Sequence, residues 1–275
     1  MPEVKTACDQ DALLWLKGEI LDAMKAWKDE HGENNYWREP LVAVASADDP
    51  LFEKLKEVVD PEHAVPRDLL PEARSVIVFF LPFQPWVGKK NDKAEPFAAR
   101  SWAESYVTTN KLIASINDCL RIRLKELGRE ACVTPATHNF DREKLVSHWS
   151  HKHLAYIARL GTFGHNSLLI TDAGCCGRLG SLVTDMALPP TERPGKEHCL
   201  TKAGKRCLVC VKKCKYGALH ETHFDRYACY KQCMRNESHY TDLPLVDVCG
   251  KCGCGLPCSH RIPSSDSHQP AQQAD

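Results

Sequence analysis

The chain has 275 residues, of which 43% are apolar and 26% charged, a composition typical of a globular protein that can bury a core. Its 36 basic and 36 acidic residues cancel, so overall charge gives no argument for binding to nucleic acid or to an anionic membrane. The most apolar run, Val76–Phe83, is much shorter than the ~20 residues that span a bilayer. Because no export leader opens the chain, we expect a cytoplasmic protein with no membrane partner.

The apolar pattern predicts a mixture of helices and strands. Spacings of three and four predict helices, and short apolar runs predict buried strands. In chain order the predicted elements are a helix from about Asp9 to Glu30, a strand at Leu41–Ala45, a helix after Pro50 to about Val59, a strand at Val76–Leu81, a helix at Ser101–Leu127, a strand at Ala131–Thr134, a helix from about Leu145 to Leu160, and strands at Ser167–Thr171 and Leu179–Ala187. Strands and helices do not alternate regularly, which favours a mixed α/β (α+β) fold over a doubly wound sheet.

Composition changes near Pro189-Pro190, where apolar periodicity fades and cysteine, lysine and glycine become frequent. We therefore predict an α/β core at 1–190 that holds cofactor and substrate, and a small module at 191–263 organised by a cofactor. The polar tail at 264–275 is predicted to be disordered.

Cysteine is the unusual residue of this sequence, since ten of the 15 lie between Cys199 and Cys258. In a cytosolic chain such a concentration indicates metal or redox chemistry rather than disulfides. Cys207, Cys210 and Cys214 follow the spacing of two-cluster ferredoxins, in which the last cysteine of the run ligates the other cluster. Gly204 stands where the first cysteine of that run would fall, and Cys199 is the nearest substitute.

The crossed pattern predicts two [4Fe–4S] clusters with four thiolate ligands each. The first would use Cys199, Cys207, Cys210 and Cys258, and the second Cys214, Cys229, Cys249 and Cys252. Cys233 and Cys254 would be spare ligands, and Cys175-Cys176 could approach a cofactor. Structural zinc is the alternative reading, because paired C-x2-C groups also bind zinc. The gap before Cys214 and the single Cys258 favour crossed clusters.

The segment from Leu154 to Leu188 reads LAYIARLGTFGHNSLLITDAGCCGRLGSLVTDMAL. Together with the cysteine order that follows, it resembles the superfamily of epoxyqueuosine reductases and reductive dehalogenases. That resemblance implies a nitroreductase-like core that holds cobalamin, beside a ferredoxin-like module with two [4Fe–4S] clusters. It also implies cofactor-binding roles for Gly161, Gly164, Asn166, Ser167, Gly180 and Ser181.

The sequence departs from that family in two ways. Epoxyqueuosine reductases carry an aspartate proton donor just before the matching segment, whereas Val146–His151 contains no carboxylate. The chain also ends soon after the cysteines, so we do not expect tRNA as a substrate. FMN is the alternative to cobalamin, because nitroreductase-like cores commonly hold a flavin.

Four side chains are candidate proton donors. His148 and His151 would share a face of the predicted helix, and histidine titrates near neutral pH. Asp141 and Tyr106 are further candidates. The alternative reading of the histidines is a polar patch whose hydrogen bonds are satisfied.

Three functions remain open at this point. The first is a reductase that passes electrons from the clusters to a corrinoid, with a small-molecule substrate. The second is an electron-transfer or corrinoid-reactivating protein that serves a partner corrinoid protein, and the third is a zinc-stabilised binding module. Basic residues around the first cysteine group would favour an acidic ferredoxin or flavodoxin as redox partner. They are Lys202, Lys205, Arg206, Lys212, Lys213 and Lys215.

Overall fold

A computed structural model describes residues 3–32, 35–135, 139–192 and 195–264. The chain divides into two compact units, each built from several segments: Met1–Gln84, Ser105–Leu160 and Gly177–Pro194 form the first, and Pro85–Glu104, Gly161–Cys176 and Gly195–Asp275 the second. The predicted single domain boundary near residue 190 differs from these two units, because 85–104 and 161–176 belong to the second unit. The predicted disordered tail lies outside the described residues, apart from Ser264.

The first unit contains the main sheet. Its elements are α1 (Glu3–His31), β1 (Leu41–Ser46), α2 (Leu51–Val58), α3 (Pro66–Leu69), β2 (Ser75–Pro82), α5 (Arg100–Glu126) from Ser105 onward, β3 (Ala131–Val133), β4 (Phe140–Asp141), β5 (Val146–Ser147), α6 (His151–Ile157) and β8 (Gly177–Thr184). The second unit contains α4 (Pro85–Lys93), β6 (Gly161–Phe163), β7 (Leu169–Thr171), α7 (Val209–Lys213) and α8 (Arg226–His239). The mixed helix and strand class is thus confirmed.

The main sheet has the strand order β1-β2-β8-β3, and every neighbouring pair is antiparallel. Strand β2 is buried along its whole length, which explains why its sequence is continuously apolar instead of alternating. Gly180 on β8 pairs with Phe79 on β2. A Cβ at Gly180 would lie 2.3 Å from the Phe79 ring, so a side chain there would force the two strands or the ring to shift.

The two long helices agree with the prediction from periodicity. Leu16 and Ile20 of α1 and Ile113 and Ile116 of α5 are completely buried, as the spacing of three and four requires. Gly128, just after α5, has a φ of 70°, the left-handed conformation that commonly ends a helix. In the described residues no helix is long and apolar enough to cross a membrane.

The helix predicted from Leu145 to Leu160 is wrong at its start. Residues 140–147 form the β4–β5 hairpin, and α6 begins only at His151. The Asp141 carboxylate accepts hydrogen bonds from the backbone N–H groups of Glu143 and Lys144, at 2.7 and 2.8 Å, and Leu145 has a φ of 54°. This turn chemistry prevails over apolar periodicity, so His148 and His151 do not share a helix face.

Candidate functional site

The first group of predicted ligands surrounds a single cavity in the second unit. Cys199, Cys207, Cys210 and Cys258 all line it, around an empty volume of about 350 Å³ that is partly open to solvent. The other lining residues are mostly apolar, including Ile170, Val209, Leu200, Leu256 and Pro257. Four thiols that line one mostly apolar cavity match the donor chemistry of a thiolate-held cluster.

The second group forms around Cys252. The thiols that act electrostatically on Cys252 are those of Cys229, Cys249 and Cys214, followed by Cys210 of the first group. Desolvation raises the pKa of the Cys252 thiol and raises that of Cys249 to about 11. These thiols are therefore neutral unless a cation stabilises the thiolate, which is what a metal centre does.

The short helix α7 separates the two groups. Cys210 lies within α7, and Cys214 ends it, with the Cys214 N–H bonded to the Cys210 carbonyl at 3.2 Å. Desolvation raises the pKa of Cys210 to about 12, and the thiols acting on it are Cys258, Cys199 and Cys207. Cys210 therefore lines the cavity of the first group and also acts on Cys252, while Cys214 acts on Cys249 and Cys252. In the described residues no three His, Cys, Asp or Glu side chains converge to hold a single metal ion.

The loop from Cys249 to Cys254 is fastened to the end of α4. The Lys251 ammonium, 7% exposed, donates to the carbonyls of Asn91 and Ala94 at the helix C-terminus, where carbonyls lack helical partners. Burial lowers the pKa of Lys251. The Asn91 amide donates to the Cys249 carbonyl at 3.0 Å and to the Cys254 sulfur at 3.4 Å. The Cys249–Cys254 loop, called the ligand loop below, therefore carries a positive charge and accepts hydrogen bonds from an amide of α4.

Glycine is required at one position of this loop. Gly250 has a φ of 71°, and a Cβ there would lie 2.3 Å from the Trp102 ring. Glycine is favoured here because the backbone is left-handed and because the Trp102 ring leaves no room for a Cβ.

The vicinal pair Cys175-Cys176 lies against the same loop. The backbone N–H groups of Cys175 and Cys176 donate to the carbonyls of Cys258 and Ser259, each at 2.9 Å. The Cys176 thiol contacts the Cys254 thiol, and it donates to the Gly253 carbonyl at 2.9 Å. The approach of this pair to a cofactor stays a prediction. Cys233, the other predicted spare, contacts the Cys229 thiol on α8.

His151 is buried in the first unit within a closed hydrogen-bond chain. Since a carbonyl only accepts, His151 Nε2–H donates to the Pro135 carbonyl at 3.0 Å, and Nδ1 accepts from the Ser181 hydroxyl at 2.9 Å. The Trp149 indole N–H donates to the same hydroxyl at 3.1 Å. Desolvation lowers the pKa of His151 to about 4, so the ring is a neutral structural element near pH 7.

We expect the stability of the chain to depend on pH through His151. The pKa of His151 is about 4 in the folded chain and 6.5 in the unfolded chain, so the unfolded chain binds more protons between these pH values. The free energy of unfolding is therefore highest above pH 6.5. It falls by about 3 kcal/mol in all as the pH is lowered towards 4. Urea unfolding at several pH values should show a weaker pH dependence for His151→Gln than for the wild type. Equal pH dependence of the two proteins would contradict this role.

The other three candidate donors occupy different settings in the first unit. Asp141 is tied into the β4–β5 turn, where backbone hydrogen bonds from Lys144 and Glu143 lower the pKa of its carboxyl. His148 is half-buried, and its carbonyl accepts from the Ala64 N–H at 2.9 Å. Tyr106 is buried, with the Arg178 guanidinium 4.2 Å from the centre of its ring. Their catalytic roles stay predictions.

The six predicted cofactor residues divide between the units. In the second unit, Asn166 is buried and donates to the Cys252 carbonyl at 2.6 Å, while Gly164 lines the cavity of the first cysteine group. Gly161 lies on β6, and Ser167 has a φ of 58° in the turn before β7, which explains why that strand starts at Leu169. In the first unit, Gly180 packs on Phe79 and Ser181 bonds to His151. Gly164 and Asn166 thus lie near the cysteine groups.

Comparison with solved structures identifies the fold. A selenomethionine-labelled epoxyqueuosine reductase is similar with a TM-score of 0.54 and 15% identity, over 91% of this chain and 72% of that one. The Bacillus subtilis enzyme, with its catalytic aspartate loop swung out of the active site, gives 0.55 and 15% over 94% and 70%. This chain has the epoxyqueuosine reductase fold. An epoxyqueuosine reductase with a modified tRNA-Tyr stem loop gives 0.50 and 15% over 91% and 72%.

At 15% identity these comparisons show a shared fold and do not assign a reaction to this chain. No protein-family model matches the chain, and no curated protein sequence matches it. Sequence reasoning had pointed to this superfamily through the cysteine order and the Leu154–Leu188 segment. Sequence reasoning did not identify Lys251 or Asn91 as site residues. Lys251 was marked only by its place between two cysteines, and Asn91 only by its place in a weakly apolar segment.

Proposed function

We propose that the chain is an iron–sulfur oxidoreductase that holds two [4Fe–4S] clusters in its second unit. The observation that supports it most is the clustering of the eight cysteines predicted from spacing. Cys199, Cys207, Cys210 and Cys258 line one cavity. The thiols of Cys229, Cys249 and Cys214 act electrostatically on Cys252, as does that of Cys210. When bound, such clusters supply one-electron transfer.

The surrounding residues fit that role in three ways. Apolar side chains around the first group limit the access of water, which would otherwise hydrate and destabilise the centre. The Asn91 amide and the Lys251 ammonium bring a donor and a positive charge to the second group. The amide of Asn166 fixes the Cys252 carbonyl at 2.6 Å.

We further propose a corrinoid as the electron acceptor, in a reductase acting on a small molecule. The likeness of the fold to epoxyqueuosine reductases supports this choice. The six residues marked by resemblance do not form a ready cradle, because Gly180 and Ser181 are packed among core residues and Asn166 bonds to the ligand loop. We therefore derive no reaction step through the corrinoid, and FMN is the competing cofactor.

A second candidate function is electron delivery to the corrinoid of a partner protein. His151 is held neutral by its burial, and backbone hydrogen bonds keep Asp141 ionised, so neither suits proton donation near pH 7. A protein that only reactivates a corrinoid needs no proton donor.

The prediction that tRNA is not a substrate stays open, since a similar enzyme is known in complex with a tRNA stem loop. Incubation of the reduced protein with epoxyqueuosine-modified tRNA would test it.

The deciding experiment is anaerobic purification with iron and sulfide assays, followed by titration with cob(II)alamin. We expect about eight irons per chain and a change of the cobalt paramagnetic resonance signal to the base-off form. Eight irons with no cobalt response would keep the clusters and remove the corrinoid, leaving flavin or simple electron transfer. Zinc without iron would overturn the whole proposal.

A further inference from the structure

One side of α8 carries a row of exposed residues that includes one lysine and one arginine. Tyr227, Lys231 and Arg235 recur every four positions and therefore lie on one face of the helix. Ser238 and His239 continue the row at its C-terminal end. We call these five residues, with Met234 and the neighbouring Phe97, the α8 face. Tyr227 is 61% exposed, unusual for so large an aromatic side chain.

The α8 face is concave at its C-terminal half. Phe97, Lys231, Met234, Arg235, Ser238 and His239 line an open groove there. Phe97 forms one wall and stacks on the His239 ring at 3.9 Å with an interplanar angle of 7°. Aromatic, methionine and arginine side chains together are the composition enriched in protein–protein interfaces.

The positive charge of this face is uncompensated. Among the described residues, Lys231 and Arg235 form no salt bridge, and Arg235 donates only to the neighbouring Gln232 side chain at 3.3 Å. The basic run around the first cysteine group differs, because Lys213 pairs with Asp92 at 2.5 Å and Lys215 pairs with Glu95. Part of the charge that the sequence assigned to partner binding is thus neutralised within the unit.

The same helix carries two cysteines on its other sides. Cys229, assigned to the second cluster, and Cys233 are both half-buried. The buried Asn236 fixes the helix, since its side chain accepts from the Ala98 N–H at 3.0 Å and donates to the Val248 carbonyl at 2.7 Å. A partner seated on the α8 face would therefore be separated from the second cysteine group by a single, firmly held helix.

We propose that the α8 face is the docking surface for an acidic one-electron carrier protein. This inference rests on the proposed function and adds the place where electrons enter. Lysine and arginine complement the carrier's carboxylates, while Phe97, Met234 and Tyr227 supply the apolar contact. The transfer moves one electron from the carrier to this chain, and it neither forms nor breaks a bond.

The test measures binding of a purified acidic [2Fe–2S] ferredoxin by calorimetry at low ionic strength. We expect Lys231→Glu/Arg235→Glu to bind about 10-fold or more weakly than the wild type, with the difference shrinking as salt is added. The matched control is Lys111→Glu/Lys125→Glu, which reverses two exposed lysines of α5 and should bind like the wild type. Equal affinity of the two double variants would overturn the proposal.

Two further measurements distinguish a docking defect from loss of the proposed iron–sulfur clusters. Iron content and the rate of reduction by dithionite should be the same in both double variants and the wild type, while reduction by the ferredoxin should slow only in the α8 variant. A wild type without iron would refute the proposed function, yet the binding comparison would still test the docking surface. An RNA hairpin that bound the α8 face and displaced the ferredoxin would instead refute the docking proposal.

Discussion

The double variant Cys210→Ala/Cys258→Ala should keep about four irons per chain, while Cys210→Ala/Cys214→Ala should lose nearly all of them. The first pair removes two ligands from the same predicted cluster. The second removes one ligand from each, although its two cysteines are only four residues apart and flank one turn of α7. Iron and sulfide assays on anaerobically purified protein measure the difference.

The opposite result would contradict the crossed arrangement. If Cys207, Cys210 and Cys214 served one cluster, Cys210→Ala/Cys214→Ala would keep about four irons, and the pair with Cys258 would lose both centres. Cys132→Ala is the control, because this half-buried thiol lies on β3 in the first unit and should leave about eight irons. Including Cys233→Ala in each double variant removes the thiol best placed to replace Cys229 as a ligand.

If Cys249 and Cys252 hold a cluster as proposed, replacing Lys251 with methionine should lower the reduction potential of that cluster. The substitution removes a positive charge that favours the more negative, reduced state. Unit charges ~8 Å apart at an effective dielectric constant of ~20 interact by about 2 kcal/mol, or about 90 mV for a one-electron couple. A redox titration followed by paramagnetic resonance measures the shift, and only one of the two centres should move.

Lys251→Arg separates the effect of charge from the effect of structure. Lys251 also donates to the Asn91 and Ala94 carbonyls at the end of α4, so its loss could loosen the ligand loop. Arginine keeps the charge and several donors, so its potential should stay close to that of the wild type. Equal potentials in the wild type and Lys251→Met, with iron content unchanged, would show that the charge does not tune the centre.

Local patterns were sufficient wherever the relevant contacts are close in sequence. The buried faces of α1 and α5 and the apolar run of β2 were read from spacing, because side chains three or four residues apart on a helix share a face. The start of α6 was misread, since the Asp141 turn and the left-handed Leu145 competed with a helical pattern that was also present.

Residue spacing was enough to predict mixed helices and strands and a segment rich in thiols. Which distant groups surround those thiols follows only from the folded chain. Asn91 reaches Cys254 across 163 residues, and Cys176 meets Gly253 across 77, and neither contact has a local pattern that could predict it. The proton donors were uncertain for the same reason, because the pKa of His151 depends on burial beside Pro135 and Ser181. Spacing along the chain encodes neighbours within a few residues, whereas desolvation and long-range hydrogen bonds arise only when the folded chain brings separate segments together.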